Sequence, residues 1–200
     1  MDLNTLRKLK KFKKNYYLYL KKNTSLSKKD INIISYAFQT GTYQKYDIKN
    51  KKKPSLLKLY EEIYSIIKKY IKNGYIILEP GIGEGSTMSQ IISKSKKNFQ
   101  NISFYGFDYS FPRINLANIN FKKRNFYPKL FLSDMEQIGL KSNSVDIIYT
   151  NHSLEPNGGR EEVILKELLR VTNKYLILFE PIYELNPKKN KFRMDKFGYI

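Results

Sequence analysis

Tyr75-Ile76-Ile77-Leu78-Glu79-Pro80-Gly81-Ile82-Gly83-Glu84-Gly85-Ser86 is the stretch whose reading decides the fold. A short apolar run is followed by an acid, and then by a turn with glycine at every second position from 81 to 85. The apolar run suits a buried strand, and Ser86 to Ser95 behind the turn suits a helix. Glycine lets the backbone turn sharply and lets a ligand come within contact distance. Strand, glycine turn and helix in this order make a nucleotide-type binding loop. Such a loop is a weak signal alone, and its weight depends on what stands at the ends of the strands that follow.

Outward from it, strands are expected at 75–79, 102–108, 129–133, 145–150 and 174–180, with helices at 86–95, 111–123 and 159–172. The strands are apolar runs rather than alternations, as in a parallel sheet covered on both faces. Repeated βα units with right-handed crossovers give an α/β fold: a doubly wound, mostly parallel sheet in a Rossmann-like three-layer sandwich. Residues 1–74 read as a basic helical cap ahead of a sheet domain at 75–200. Cap helices are expected over 4–22, from Lys28 to about Phe38 with Ser27 as N-cap, and over 56–72 with Asn73-Gly74 as C-cap. A further polar helix is expected at 187–197.

A chain of 200 residues with no cysteine has room for a sizeable core and lacks a disulfide framework and thiolate metal sites. It starts without an apolar secretory region and no stretch approaches the roughly 18 apolar residues of a membrane span, so a cytoplasmic protein is expected. The net charge of +19 is uneven. Residues 1–74 hold nineteen lysines and arginines against five acids, and 75–200 hold eighteen against thirteen. Only six of the basic residues are arginine, the side chain best suited to bidentate phosphate recognition. Lys, Asn, Ile and Tyr, all read from AT-rich codons, are abundant, and composition bias is the simpler source of the charge.

In a doubly wound sheet the ligand lies beyond the carboxyl ends of the strands. The first expected strand ends at Glu79, the second at Asp108-Tyr109-Ser110, the third at Ser133-Asp134-Met135, the fourth at Asn151-His152-Ser153-Leu154-Glu155 and the fifth at Glu180. An acid at the second strand end is placed to accept two hydrogen bonds from ribose hydroxyls. One at the third is placed to accept from an exocyclic amine, with Met135 packing on the ring. The ordered set carries far more weight than any one of these acids.

Glu79-x-Gly81-x-Gly83-x-Gly85 resembles the first motif of class I S-adenosylmethionine-dependent methyltransferases, and Gly106-x-Asp108-x-Ser110 resembles their second. Val145-Asp146-Ile147-Ile148-Tyr149 with Leu165-x-Glu167-Leu168-x-Arg170-Val171 is similar to the type 11 methyltransferase domain. The resemblance covers about 75–181. It implies S-adenosyl-L-methionine as cofactor, with Glu79, Gly81, Gly83 and Gly85 at its methionine part. It further implies Asp108 on the ribose, Tyr109 beside the adenine, Asp134 and Met135 on the adenine, and Asn151 and His152 near the sulfonium. In two places the chain departs from the family. Thr172-Asn173-Lys174 replaces the usual Pro-Gly-Gly turn, with Gly158-Gly159 opening the preceding helix instead. The antiparallel hairpin that normally closes the sheet has no counterpart in the twenty residues after Glu180, so the expectation is either a C-terminally truncated chain or one that supplies the sheet edge in another way.

Methyl transfer from a sulfonium needs alignment and exclusion of water, and an oxygen nucleophile also benefits from a base. His152, the one histidine, is the candidate base, Glu155 the next, and no metal is expected. The polar, aromatic segment 39–47 is the candidate lid. The expected partner is a small polar methyl acceptor, such as a sugar or sugar nucleotide of surface polysaccharide synthesis. RNA or protein methylation through the basic N-terminal third is the alternative, and a non-enzymatic basic binding protein stands behind it. The G-x-G-x-G spacing argues against a nicotinamide dehydrogenase, whose fingerprint is G-x-G-x-x-G. The sequence leaves the oligomeric state open.

Overall fold

The structure is a computed structural model that describes residues 16–42, 54–197 and 199. The lysine runs 8–14 and 51–53, the part of the first expected helix before Tyr16, and residues 43–47 of the candidate lid lie outside the described residues. Five strands form one sheet: β1 (Ile76–Pro80), β2 (Ser103–Asp108), β3 (Lys129–Leu132), β4 (Val145–Asn151) and β5 (Thr172–Phe179). Their order is β3-β2-β1-β4-β5 and every pairing is parallel. The helices are α1 (Tyr16–Asn23), α2 (Lys28–Phe38), α3 (Pro54–Ile67), α4 (Ser86–Ser95), α5 (Phe111–Lys122), α6 (Glu161–Val171) and α7 (Lys188–Phe197). Among the described residues no helix is long and apolar enough to cross a membrane.

Neighbouring residues of the central strands point to opposite faces, and both faces are dry. Leu78 and Ile148 face one layer, with Ile164 and Leu168 of α6, while Ile77 and Ile147 face the other, with Ile63 and Ile67 of α3 and Ile91 of α4. All nine side chains are essentially fully buried. The expected three-layer sandwich is therefore present. Its sheet winds outward from β1 to β3 and then returns to β4 on the other side of β1. That reversal leaves a crevice between the ends of β1 and β4.

Helix boundaries follow local chemistry. Ser27 Oγ accepts from the Asp30 amide at 3.1 Å and donates to the Asp30 carboxylate at 2.6 Å, a reciprocal cap at the start of α2. The expected helix 56–72 ends sooner, at Ile67, because Lys69 and Tyr70 donate to Ile66 and Ile67 in a tighter turn. Asn73 and Gly74 do not cap it. They face the turn before β2, the Gly74 amide bonding Gln100 O and Asn73 Oδ1 receiving the Gln100 amide.

The replacement of Pro-Gly-Gly has a direct consequence at β5. No separate turn follows α6: Thr172 leaves the helix in an extended conformation, its Oγ1 donating to Leu168 O at 2.7 Å, and is already the first residue of β5. A bulge absorbs the difference, since Val145 pairs with Thr172 but Ile147 pairs with Tyr175. Gly158 and Gly159 lie before α6, which starts at Glu161 rather than at 159. Among the described residues no antiparallel strand follows β5, which lies at the sheet edge with Tyr175 and Leu178 about two-fifths exposed. The chain turns instead into α7, which buries Met194 and sets Phe197 against Tyr17 of α1 at 6.0 Å between ring centroids.

Leu168→Ala removes a fully buried side chain that holds α6 to the sheet. The expected cost is about 2–5 kcal/mol in urea unfolding of the otherwise intact chain. A cost within experimental error would mean that α6 does not pack on this face.

Candidate active site

The ends of β1, β2 and β4, the turns that follow them and the cap enclose a cleft of about 670 Å³. Its floor is the glycine turn. Gly81 has a φ of +66°, and a Cβ there would come within 2.6 Å of Met135 Cε and Ser153 Cβ, so only glycine allows the β3 and β4 loops to close over this point. The Gly83 amide donates to Asp108 Oδ2 at 3.0 Å, and the Ser110 amide to Asp108 Oδ1 at 2.9 Å. Asp108 is thereby locked to the turn from the next strand. Burial pushes its carboxyl up, while Arg113 and the surrounding amides pull the other way. Tyr109, its neighbour, also borders the cleft, and burial raises its phenol.

Glu79 is 3% exposed. Its carboxyl accepts from Tyr149 Oη at 2.7 Å, and burial pushes it up to about 8 against that bond and the Met88 amide. At the end of β4, Asn151 Nδ2 donates to Thr87 Oγ1 at 3.0 Å, fastening this strand to the first turn of α4. Asn151 Oδ1 and Ser153 Oγ are buried without a hydrogen-bond partner among the described residues. Buried polar atoms normally have partners, and these two belong to residues that line the cleft.

His152 sits at a φ of +53°, an unusual conformation for a non-glycine residue. Two contacts of its own and a clamp on the residues that follow hold it there. Its amide donates to Phe179 O at 3.1 Å, and its Nδ1 lies 3.3 Å from Glu155 Oε1. The Glu180 carboxylate takes the Ser153 amide at 3.0 Å and the Glu155 amide at 3.4 Å. The bond to Glu155 raises the imidazole above its usual value, against burial and Arg193. Glu180 itself lies at the end of β5 as a clamp on the loop backbone.

Residues 71–189 match the family model described as a methyltransferase domain. The chain belongs to this methyltransferase family. It is a class I enzyme of the S-adenosylmethionine-dependent kind, as its parallel Rossmann-like sheet and its structural neighbours agree. A SAM-dependent methyltransferase from Aquifex aeolicus is 26% identical with a TM-score of 0.53, and the match covers 66% of this chain and 70% of that one. A putative S-adenosyl-L-methionine-dependent methyltransferase from Methanococcus maripaludis, 19% identical at a TM-score of 0.53, shares the fold over 76% of this chain and 69% of that one. A protein from Pyrococcus horikoshii shares it at 17% identity and a TM-score of 0.54, over 64% of this chain and 59% of that one. No curated protein sequence matches the chain significantly.

Two of the methyltransferase's expected cofactor residues stand away from the cleft wall. Gly85, φ +80°, precedes α4, and a Cβ there would meet the Phe121 ring of α5 at 2.6 Å. Its glycine is required by helix packing. Asp134 receives Lys29 Nζ at 2.5 Å and the Glu136 amide at 3.0 Å. Burial opposes its ionisation, but Lys29 and that amide outweigh the cost and hold its carboxyl below the usual value. Its neighbour Met135 does line the cleft.

The cap supplies residues that no motif marked. Asn32 Nδ2 donates to Pro156 O at 2.7 Å, Lys28 Nζ to Gly158 O at 2.7 Å, and the Gly41 amide to Glu84 Oε1 at 2.8 Å. With the Lys29–Asp134 ion pair, these bonds tie α2 and its end to the β3 end, the β4 loop and the glycine turn. Tyr36 of α2 reaches the cleft, with Arg113 Cζ 4.6 Å from its ring centroid. Arg113 carries a visible signal, a cation in the first turn of the helix after Asp108; Tyr36 carries none.

Gly85→Ala is expected to cost roughly 2 kcal/mol or more in chemical denaturation, from left-handed backbone strain and the clash with Phe121. Glu79 predicts a pH effect. Its folded-state value is raised, so its contribution to stability is complete below about 4.5 and is lost as pH rises through about 8. Relative to Glu79→Gln, the ligand-free protein should lose on the order of 3 kcal/mol of unfolding free energy between pH 5 and pH 9. Parallel curves for the two proteins would contradict the burial of an ionisable group there.

Proposed function

We propose that this methyltransferase modifies a small polar acceptor, such as a sugar or sugar nucleotide, held between the β4 loop and the N-terminal cap. The observation that carries this reading is the path of α2, bonded to Pro156 and Gly158 on one wall and to Asp134 on the other. A roof tied to both walls favours an acceptor small enough to be enclosed. Lys28 and Lys29, two of the cap's cations, are spent on these internal contacts, which weakens the case for an RNA-binding cap. The absence of cysteine suits work in the cytoplasm.

S-adenosylmethionine, when bound, supplies an electrophilic methyl group on a sulfonium. In our reading Glu79, Gly81, Gly83 and Asn151 receive its methionine part, the buried Glu79 carboxyl and the partnerless Asn151 Oδ1 matching a cationic, hydrogen-bonding ligand. Asp108 has lone pairs to spare beyond its two amide bonds and takes the ribose. Tyr109 and Met135 flank the adenine. Asp134 serves this end through its bridge to Lys29, which brings the cap down beside Met135. His152, exposed toward the cleft and steered by Glu155, removes the acceptor's proton, and the enclosed walls keep water from the reacting atoms. Residues 1–74 act as the acceptor cap and 75–200 as the cofactor domain.

Calorimetry with S-adenosylmethionine tests the cofactor half: Asp108→Ala should weaken binding by about tenfold or more. Turnover of a panel of sugars and sugar nucleotides, read as S-adenosylhomocysteine formed, tests the rest. His152→Ala should keep cofactor affinity and lose turnover. If His152 is the base, its raised value places the rising limb of kcat/KM above the pH of an ordinary histidine, and Glu155→Gln moves that limb to lower pH. Unchanged turnover in His152→Ala would remove it from the chemistry.

A further inference from the structure

We propose that Arg193 is the anion-recognition residue of the acceptor site, so that the acceptor presents a carboxylate or a phosphate. This rests on the methyltransferase reading above and names the chemistry of its acceptor. Arg193 lies on α7, whose position is set by the buried Met194 beside it and by Phe197 one turn on, packed against Tyr17. Just past the helix, Tyr199 Oη lies 3.4 Å from Tyr36 Oη of the cap. These contacts hold α7 across the mouth of the cleft, and Arg193 borders it together with His152 and Glu155.

The charges around the cleft differ in how they are committed. Glu79 is bonded to Tyr149, Asp108 to two amides, Glu84 to the Gly41 amide and Glu155 to His152. Arg113 lies over the Tyr36 ring on the Asp108 side. Glu180, behind the loop, holds the Ser153 and Glu155 amides. Arg193 makes no hydrogen bond or ion pair among the described residues, yet it is close enough to His152 to oppose the protonation of its ring. A guanidinium is always charged and presents a planar fork of donors that matches a carboxylate or phosphate in a bidentate pair. An acceptor anion seated on Arg193 would therefore bring its body against the one histidine in the chain. The same anion would fix the acceptor's orientation before transfer, and alignment is a main contribution a protein makes to such a displacement. Neutral acceptors of the same size would lack this anchor.

The single histidine makes the test specific, because the imidazole signals of the full chain belong to His152 alone. With S-adenosylhomocysteine bound, inorganic phosphate and acetate are titrated separately at constant ionic strength, with chloride as control. The expected result is a saturable shift of the His152 signal with phosphate or acetate and none with chloride. The anion that saturates at the lower concentration tells phosphate from carboxylate. Arg193→Gln should weaken that anion by about tenfold or more, and Arg193→Lys should recover part of the affinity. A wild-type titration that never saturates, or an unchanged one in Arg193→Gln, which would mean an adventitious ion only, overturns the proposal. Affinity for S-adenosylhomocysteine, measured on the same samples, separates the two readings. If it is high and equal in both proteins while the anion effect is missing, the anion site alone fails. If it is absent in wild type, the cofactor reading fails first.

Discussion

The hydrogen bond from the Gly83 amide to the Asp108 carboxylate is the contact on which the rest of the site depends. It joins the turn after β1 to the end of β2, and it does so with a buried carboxyl that is also held by the Ser110 amide. An isolated carboxylate out of water is costly, and backbone amides of two adjoining segments offset that cost only if both segments hold their shape. The turn therefore has one geometry. Gly81 accepts that geometry because it lacks a Cβ, and the β3 and β4 loops close over it. The fastening of Asn151 to Thr87 extends the same frame to β4.

Around this frame the molecule places its polar groups in opposite electrostatic roles. Glu79 is driven by burial toward its neutral form, while Asp134, tied to Lys29, is held as a charge. The first is a buried acid bonded to neutral donors, the second a strut. His152 belongs to neither class: backbone bonds on its strained turn and the carboxylate of Glu155 set its place, and its ring still faces the cleft. The loop at 151–159 is thus rigid where it meets the sheet and chemically open where it meets the cavity. The cap completes it through bonds to backbone carbonyls at Pro156 and Gly158 rather than through apolar burial alone.

The central part of the fold was legible because strand and helix periods are local. The five strands stand within a few residues of where apolar runs predict them, and α4 has the expected bounds. Boundaries moved where a contact distant in sequence intervened. α3 ended early as its last turn tightened, and Gly74 turned out to pair with Gln100. The missing Pro-Gly-Gly is an instance of one local device replaced by another, an extended cap at Thr172 with a bulge behind it. Glycine spacing likewise did not separate Gly81, which shapes the cleft floor, from Gly85, which admits Phe121. The two look alike in the chain because what distinguishes them is the neighbour a Cβ would strike.

By itself, then, the sequence determined the parallel α/β sandwich, the order of acids along the strand ends and the family these imply. All of that follows from periodicity and from residues a few positions apart. Only the tertiary structure decided which of these acids face the cavity. Asp134 is drawn away by a lysine more than a hundred residues earlier, and Glu180 is turned inward onto the amides of the β4 loop. It also brought Tyr36, Tyr199 and Arg193 to the cleft from segments at both ends of the described chain. No local pattern encodes such meetings, because they arise from how helices pack over a finished sheet.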